Sequence, residues 1–291
     1  MKICLSCERR YDSDHWQCSS CGVKVAVEQG ILKFAPGIAR DGVGFNPAHF
    51  AELAQLESAN FWFRSRNALL IHLLCTYMPE ARKLLELGCG TGFVLSGIAN
   101  AFPQLAVSGS ELFAEGLPFA SARVPGATLF QMDARAIPFE NEFDVIGAFD
   151  VLEHIEEDER VLAQMYQAVV PGGNIILTVP QHRFLWSQQD EFACHVRRYE
   201  AADLRSKVVR AGFSVRRMTS FVSLLLPVMY LARRRKREGG KKFDPADELR
   251  IGGITNAMLK AVLDIEIALV RAGLNLPAGG SLVMIASKEL T

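Results

Sequence analysis

Three groups of residues in this 291-residue chain are spaced to do chemistry. The first is a pair of cysteine turns, Cys4-x-x-Cys7 and Cys18-x-x-Cys21. Each C-x-x-C lets two thiolates converge, and two such pairs complete a tetrahedral zinc site with no open position, which makes the ion structural. The second is "LLELGCGTGF", Leu84 to Phe93, where an apolar run breaks into Gly88, Gly90 and Gly92. A glycine loop between strand and helix lets the backbone approach a nucleotide. The dinucleotide pattern G-x-G-x-x-G/A requires a small residue where this chain has Phe93, and no G-x-x-x-x-G-K-[ST] loop is present. The loop therefore fits a nucleoside without phosphates. The third group is His154, His182 and His195, candidates for a general base near neutral pH. His154 is the first choice of the three. Asp150, Glu153 and His154 also form a D-x-x-E-H spacing that offers ligands to a divalent ion if the segment turns helically, although side chains adjacent in sequence diverge.

These residues need a scaffold, and the hydrophobic pattern supplies one. Short apolar runs at Lys83–Leu87, Ala106–Ser110, Thr128–Gln131, Phe143–Phe149, Asn174–Val179, Phe213–Met218 and Leu282–Ser287 read as strands. Helical periodicity fills the early gaps. It runs from Ala48 to Tyr77 and again through "DERVLAQMYQAVV", which Pro171-Gly172-Gly173 is expected to stop. Strands alternating with amphipathic helices imply an α/β fold with a mostly parallel sheet covered on both faces. The three histidines follow the fourth and fifth of these strands, at the carboxyl edge of such a sheet.

The loop also resembles motif I of the class I S-adenosylmethionine (SAM)-dependent methyltransferases, E/D-x-G-x-G-x-G. That resemblance implies a Rossmann-like sheet of seven strands, mostly parallel with an antiparallel last strand. It implies that Gly88, Cys89, Gly90 and Gly92 border the amino-acid end of the cofactor, with Glu86 orienting it. Glu111, in "VSGSELF", would accept the ribose hydroxyls and be flanked by Leu112. Asp133 and Ala134, in "FQMDARAIPF", would face the adenine. Asp150 opens the post-strand loop of "FDVIGAFDVLEHI", and "VVPGGNIILTVP" is similar to the family's next turn and strand. "FWFRSRNALL" and "DVLEHI" resemble a bacterial small-molecule branch, the latter being similar to O-methyltransferases of ubiquinone biosynthesis. The acceptor implied is a small or lipid- or sugar-linked molecule methylated at oxygen. Arg64, Arg197 and Arg198 are candidates for its anionic groups, and Trp62 and Trp186 for a pocket cover. The alternatives are a zinc-ribbon RNA methyltransferase and a SAM-binding scaffold without turnover.

Composition narrows these choices. Lysine plus arginine balance aspartate plus glutamate at 32 each, so no global field recruits nucleic acid. Residues 1–34 carry five basic and four acidic side chains, a poor footprint for RNA. The N-terminus lacks a secretory signal and the longest apolar run is too short to span a bilayer, so a cytoplasmic protein is expected. Behind "FVSLLLPVMYLA" lies the basic run Arg233 to Lys242, which would suit peripheral contact with anionic membrane over residues 221–242. The expected organisation is a zinc ribbon over 1–35, a linker over 36–47, and a catalytic domain over 48–291 with an insertion at about 219–280.

Overall fold

The computed structural model describes residues 1–13, 15–37, 46–238 and 250–290, with the side chains of 234–238 left aside. The far end of the basic run and most of the linker lie outside the described residues. Among the described residues eleven strands form two sheets. A two-stranded ribbon pairs β1 (Lys2–Ile3) with β2 (Arg10–Tyr11). The large sheet holds β3 (Ala26–Glu28), β4 (Ile31–Lys33), β5 (Lys83–Leu87), β6 (Ala106–Glu111), β7 (Thr128–Gln131), β8 (Phe143–Phe149), β9 (Val169–Pro180), β10 (Ser214–Phe221) and β11 (Ser281–Ser287). Its order is β10-β11-β9-β8-β5-β6-β7-β4-β3. The pairings from β9 through β4 are parallel, whereas β11 runs antiparallel between β9 and β10.

Seven strands are expected from the sequence and nine are found. The two extra strands are β3 and β4, a hairpin that extends the edge beside β7. The ribbon expected over 1–35 includes residues 26–33, and here they continue the sheet. β4 joins β7 through the parallel backbone ladder, with Phe34 N donating to Gln131 O at 2.8 Å, and the Gln131 side chain adds to it, accepting from Ala35 N at 3.1 Å and donating to Ala35 O at 2.7 Å. Trp16 adds edge contacts to Phe34, Phe130 and Phe139. Pro171-Gly172-Gly173 also departs from expectation. The helix α5 (Asp158–Ala168) has already ended, and the triplet lies inside β9.

The central strands β5 and β8 are almost wholly buried because helices cover both faces. On one face lie α2 (Phe61–Tyr77), α3 (Phe93–Ala101), α4 (Leu117–Arg123) and α9 (Gly253–Arg271), meeting the sheet through Leu69, Leu70, Leu73, Leu95, Leu117 and Leu263. The other face is closed by α5 and α7 (Ala201–Arg210) through Leu162, Met165, Leu204 and Val208. Truncating one such leucine to alanine costs about 2–5 kcal/mol. The helical stretch expected from Ala48 to Tyr77 divides into α1 (Phe50–Leu56) and α2, since Asn60 caps the second helix through Trp62 N. β10 runs on to Phe221, which leaves 222–280 for the insertion, with α8 (Leu226–Glu238) and α9 in it. Among the described residues no helix is long and apolar enough to cross a membrane.

Strand order reverses between β5 and β8, whose successors run to opposite edges. The crevice at the carboxyl ends of these two strands is where open α/β sheets take ligands.

Candidate functional site

The glycine loop leaves β5 at this switch point and enters α3. Gly88 has φ +63°, and a Cβ there would lie 2.5 Å from Val151 Cγ2. Gly92 has φ +74° and would meet Ala120 Cα at 2.7 Å. Both positions therefore exclude a side chain on conformation and on space. The Glu111 carboxylate, at the end of β6, reaches back and accepts Gly90 N at 3.1 Å and Phe113 N at 3.1 Å. Burial raises its pKa, and these two donors oppose the shift. Beneath the loop Glu86 is 2% exposed, with Oε2 lacking any partner. Burial pushes its carboxyl up to about 8 even though Arg66 pulls it down. An open cavity of about 100 Å³ lies here, lined among others by Phe50, Glu57, Arg66, Glu86, Thr91 and Phe149. An orphaned buried carboxylate oxygen beside bare backbone suits a ligand carrying an ammonium group.

The other expected cofactor residues fall around this cleft with differing freedom. Asp133 closes β7, but both its oxygens are clamped by the Arg135 guanidinium at 2.9–3.1 Å. Leu112 offers its carbonyl to Gln131 Nε2 at 2.8 Å, and Ala134 is half-buried. The Cys89 side chain turns under the loop toward Gly109, and burial pushes its thiol well up. Only its backbone belongs to the loop's ligand face. Asp150 sits at φ +58°, paired with Arg66 and accepting Thr178 Oγ1 at 3.2 Å. Arg66 in turn stacks on Trp62, its guanidinium 4.4 Å from the ring centroid.

A second group of polar residues is assembled from two loops beyond the carboxyl end of β8. A 3-10 turn, Leu152–His154, follows β8 and presents Glu153 and His154. The segment after α6 (Gln188–Phe192) brings His195 against them, its ring 4.7 Å from that of His154 and nearly perpendicular. His195 Nδ1 lies 2.9 Å from Asp190 Oδ1. Burial would raise Asp190, but the bond from His195 and the charge of Arg198 hold it down at about 2. Asp190 is thus an anion that fixes the imidazole with Nε2 free. His154 differs: burial, then the neighbouring His195, lower it to about 4. It is neutral near pH 7 but a weak proton acceptor. His182 lies apart, at φ +63°, with Nδ1 on Glu200 at 3.2 Å and its ring stacked on Phe184.

The remaining comparison is with known proteins. A family model described as a methyltransferase domain matches residues 59–217, more than half of the chain. The chain belongs to this family, the class I SAM-dependent methyltransferases. It is 31% identical over 107 residues to trans-aconitate 2-methyltransferase of Variovorax paradoxus, covering 36% of this chain and 41% of that one. Identity is 26% over 164 residues with a probable SAM-dependent methyltransferase of Mycolicibacterium smegmatis, covering 55% and 62%. The chain thus spans about half of these relatives' own length. Among solved structures, phosphoethanolamine N-methyltransferase 2 of Haemonchus contortus, in complex with SAM, superposes with TM-score 0.56 at 19% identity. It covers 84% of this chain and 57% of that one, a likeness of fold.

Several residues of this methyltransferase depart from sequence expectation. Arg64 is exposed and does not line the cavity beneath the glycine loop. Arg197 is committed to Asp158 at 2.7 Å and Arg198 to Asp190 at 2.7 Å, so both brace loops rather than offer an anion site. Sequence reasoning missed Arg66, Glu57 and Asp190. Glu57 accepts Thr91 Oγ1 at 2.7 Å and Arg123 Nη1 at 2.6 Å, which locks the segment after α1 onto the loop. Their only linear signal is a charge on an otherwise apolar helical face, as in "FWFRSR". At the N-terminus the thiols of Cys4, Cys7, Cys18 and Cys21 all lie within 4.8 Å of one another. The pairs Cys4–Cys21 and Cys7–Cys18 are 3.6 and 3.7 Å apart. Tetrahedral Zn–S bonds of about 2.3 Å place sulfurs roughly 3.8 Å apart, so the cluster fits that ion.

Proposed function

We propose that this protein transfers the SAM methyl group to a hydroxyl of a small-molecule or lipid- or sugar-linked acceptor, and that its four cysteines hold a structural Zn²⁺. The observation that carries the reading is the buried Glu86 Oε2, left without a partner beside the bare glycine-loop backbone, and the His195–Asp190 pair at 2.9 Å supplies a candidate base. SAM would supply an activated methyl on a sulfonium. Gly88 to Gly92 would bind its amino-acid end through backbone, Glu86 its ammonium, and Glu111 its ribose. Positioning supplies much of the rate of such an in-line displacement. His195 Nε2 would take the acceptor's proton while Asp190 stabilises the resulting imidazolium. His154, expected from the sequence as the base, becomes a packing neighbour of His195 because its proton affinity is too low.

The test is incubation with methyl-labelled SAM and a fractionated bacterial extract. Label in small solutes or organic-soluble lipid supports the reading. Label confined to RNA overturns the acceptor class, and SAM binding with no label in any fraction overturns turnover.

A further inference from the structure

Glu153 is the most costly side chain of the group around His195. It is 0% exposed, and both carboxylate oxygens lack a hydrogen-bond partner. Burial, then the nearby Asp150, drive its pKa well up. His154 Nδ1 is buried and equally without a partner. Buried polar atoms are paired in folded proteins, so a cluster of orphans requires an occupant or an explanation. The third member supplies a direction. His195 spends Nδ1 on Asp190, which leaves Nε2 as a lone pair 3.9 Å from Glu153 Oε1. One donor atom from each of Glu153, His154 and His195 lies within 4.8 Å of the others.

We propose that Glu153, His154 and His195 bind one divalent first-row transition ion, separate from the four-cysteine cluster. Two imidazoles and one carboxylate suit manganese, iron, cobalt, nickel or zinc rather than calcium or magnesium, which prefer oxygen throughout. Metal–ligand bonds of about 2.1 Å set ligands roughly 3–3.5 Å apart, so donor atoms now up to 4.8 Å apart need to draw in by as much as roughly 1.3–1.8 Å. The outer partners are already built. Asp190 orients His195 from behind, as carboxylates do at metal-bound histidines, and is itself held by Arg198 Nε at 2.7 Å and by Ser187 N at 2.8 Å. Asp150, which the D-x-x-E-H spacing suggested as a ligand, is instead occupied by Arg66 and Thr178. Binding would ionise Glu153 and release its proton to solvent. Three protein ligands leave coordination positions open. Resting on the reading above for its substrate class, the base role of His195 then belongs to the metal-free protein; with the ion bound, an open position would take the acceptor's oxygen and ease loss of its proton to solvent.

The test uses the full-length, zinc-replete protein titrated with Mn²⁺, with free ion counted by electron paramagnetic resonance. Mn²⁺ is harder than zinc and does not compete for four thiolates. One Mn²⁺ per chain is expected. Glu153→Gln and His195→Gln are each expected to weaken binding at least about tenfold, and Asp190→Asn by about 10–100-fold. Melting curves and SAM affinity identify any variant that has lost its fold, in which case His154→Gln carries the comparison. Absence of bound Mn²⁺ and of bound Co²⁺ in the wild-type protein overturns the site, as does binding that survives the Glu153 and His195 substitutions. The two readings fail separately. Mn²⁺ bound without methyl transfer to any fraction keeps the metal site and removes the enzyme, whereas transfer without a bound ion does the reverse.

Discussion

Two groups of residues beyond the carboxyl ends of β5 and β8 treat polar groups near a core differently: the glycine-loop side, which we propose as the cofactor wall, and the Glu153–His195 side, which we propose as the acceptor wall. On the glycine-loop side each oxygen of the Glu111 carboxylate accepts one backbone N–H, from Gly90 and from Phe113, and Gly88 and Gly92 are seated against Val151 and Ala120. On the acceptor wall Glu153 and His154 keep buried atoms without partners, and only His195 is braced. The first wall is a preformed cradle. The second stores unpaired polarity that a ligand must satisfy. A preformed cradle gives affinity, while unpaired groups give discrimination, because an occupant that cannot complete them is rejected.

Substitutions should separate the walls by what they change. The largest effect is expected from His195→Ala. Whether it acts as base or as ligand, its loss should lower turnover by about 10²–10⁴-fold while SAM affinity stays unchanged. Single-turnover rates and SAM binding measured on the same variant check this, and a parallel fall in both would mean that the walls are not independent. Glu111→Ala is the mirror experiment. It removes an acceptor from two buried N–H groups and, with it, the ribose contact, each lost bond costing about 1–3 kcal/mol. SAM affinity should fall roughly 10–100-fold, as read by calorimetry, with the rate at saturating SAM little changed.

Gly88→Ala tests the seam between them, since its Cβ would collide with Val151, which links Asp150 to the turn bearing Glu153 and His154. Overpacking of this kind costs about 1–3 kcal/mol, and the left-handed φ adds about 1 kcal/mol more. Both SAM affinity and turnover should drop, by about tenfold or more each, with a lowered melting temperature. A change confined to SAM affinity would show that Val151 yields without moving the acceptor wall.

The walls also differed in how far the sequence disclosed them. The cradle was legible because its parts sit at strand ends in chain order: the glycines after β5, Glu111 closing β6, Asp133 after β7. Periodicity located β5 to β8 closely for the same reason, their buried runs being continuous. The acceptor wall joins residues 153–154 to 190–195 across a strand and two turns, and nothing local marks Asp190 as the partner of His195. Arg66 was hidden in a helix whose neighbours are apolar, and its role depends on Asp150, 84 positions later. The edge strands β3 and β4 gave only a weak signal, a strand-like "VKVAV" next to the cysteine turns, because each has three residues and β3 is exposed throughout, so no alternation develops. Their place in the sheet depends on pairing with β7, about 100 positions later, to which Gln131 and Trp16 add contacts.

The smallest expected effect is one of pH, and it probes the buried, unpartnered carboxylate oxygen of Glu86. Glu86 is protonated below about 8 in the empty protein because burial outweighs the attraction of Arg66. A cationic ligand favours the ionised carboxylate, so binding below that pH must expel a proton, while binding above it need not. Affinity for SAM should therefore weaken by up to about tenfold for each unit that pH falls from 8 toward 6, and level off above 8. Glu111 is also raised by burial, and its titration could imitate the trend at the acid end. Glu86→Gln separates the two, since a neutral amide at 86 should flatten the profile between about pH 6 and 8 while Glu111 remains. His154, held at about 4, does not change charge in this window. Calorimetry in two buffers of different ionisation enthalpy would count the proton released at pH 7. A profile that stays steep in Glu86→Gln would assign the proton to Glu111 and make Glu86 a neutral hydrogen-bonding partner instead.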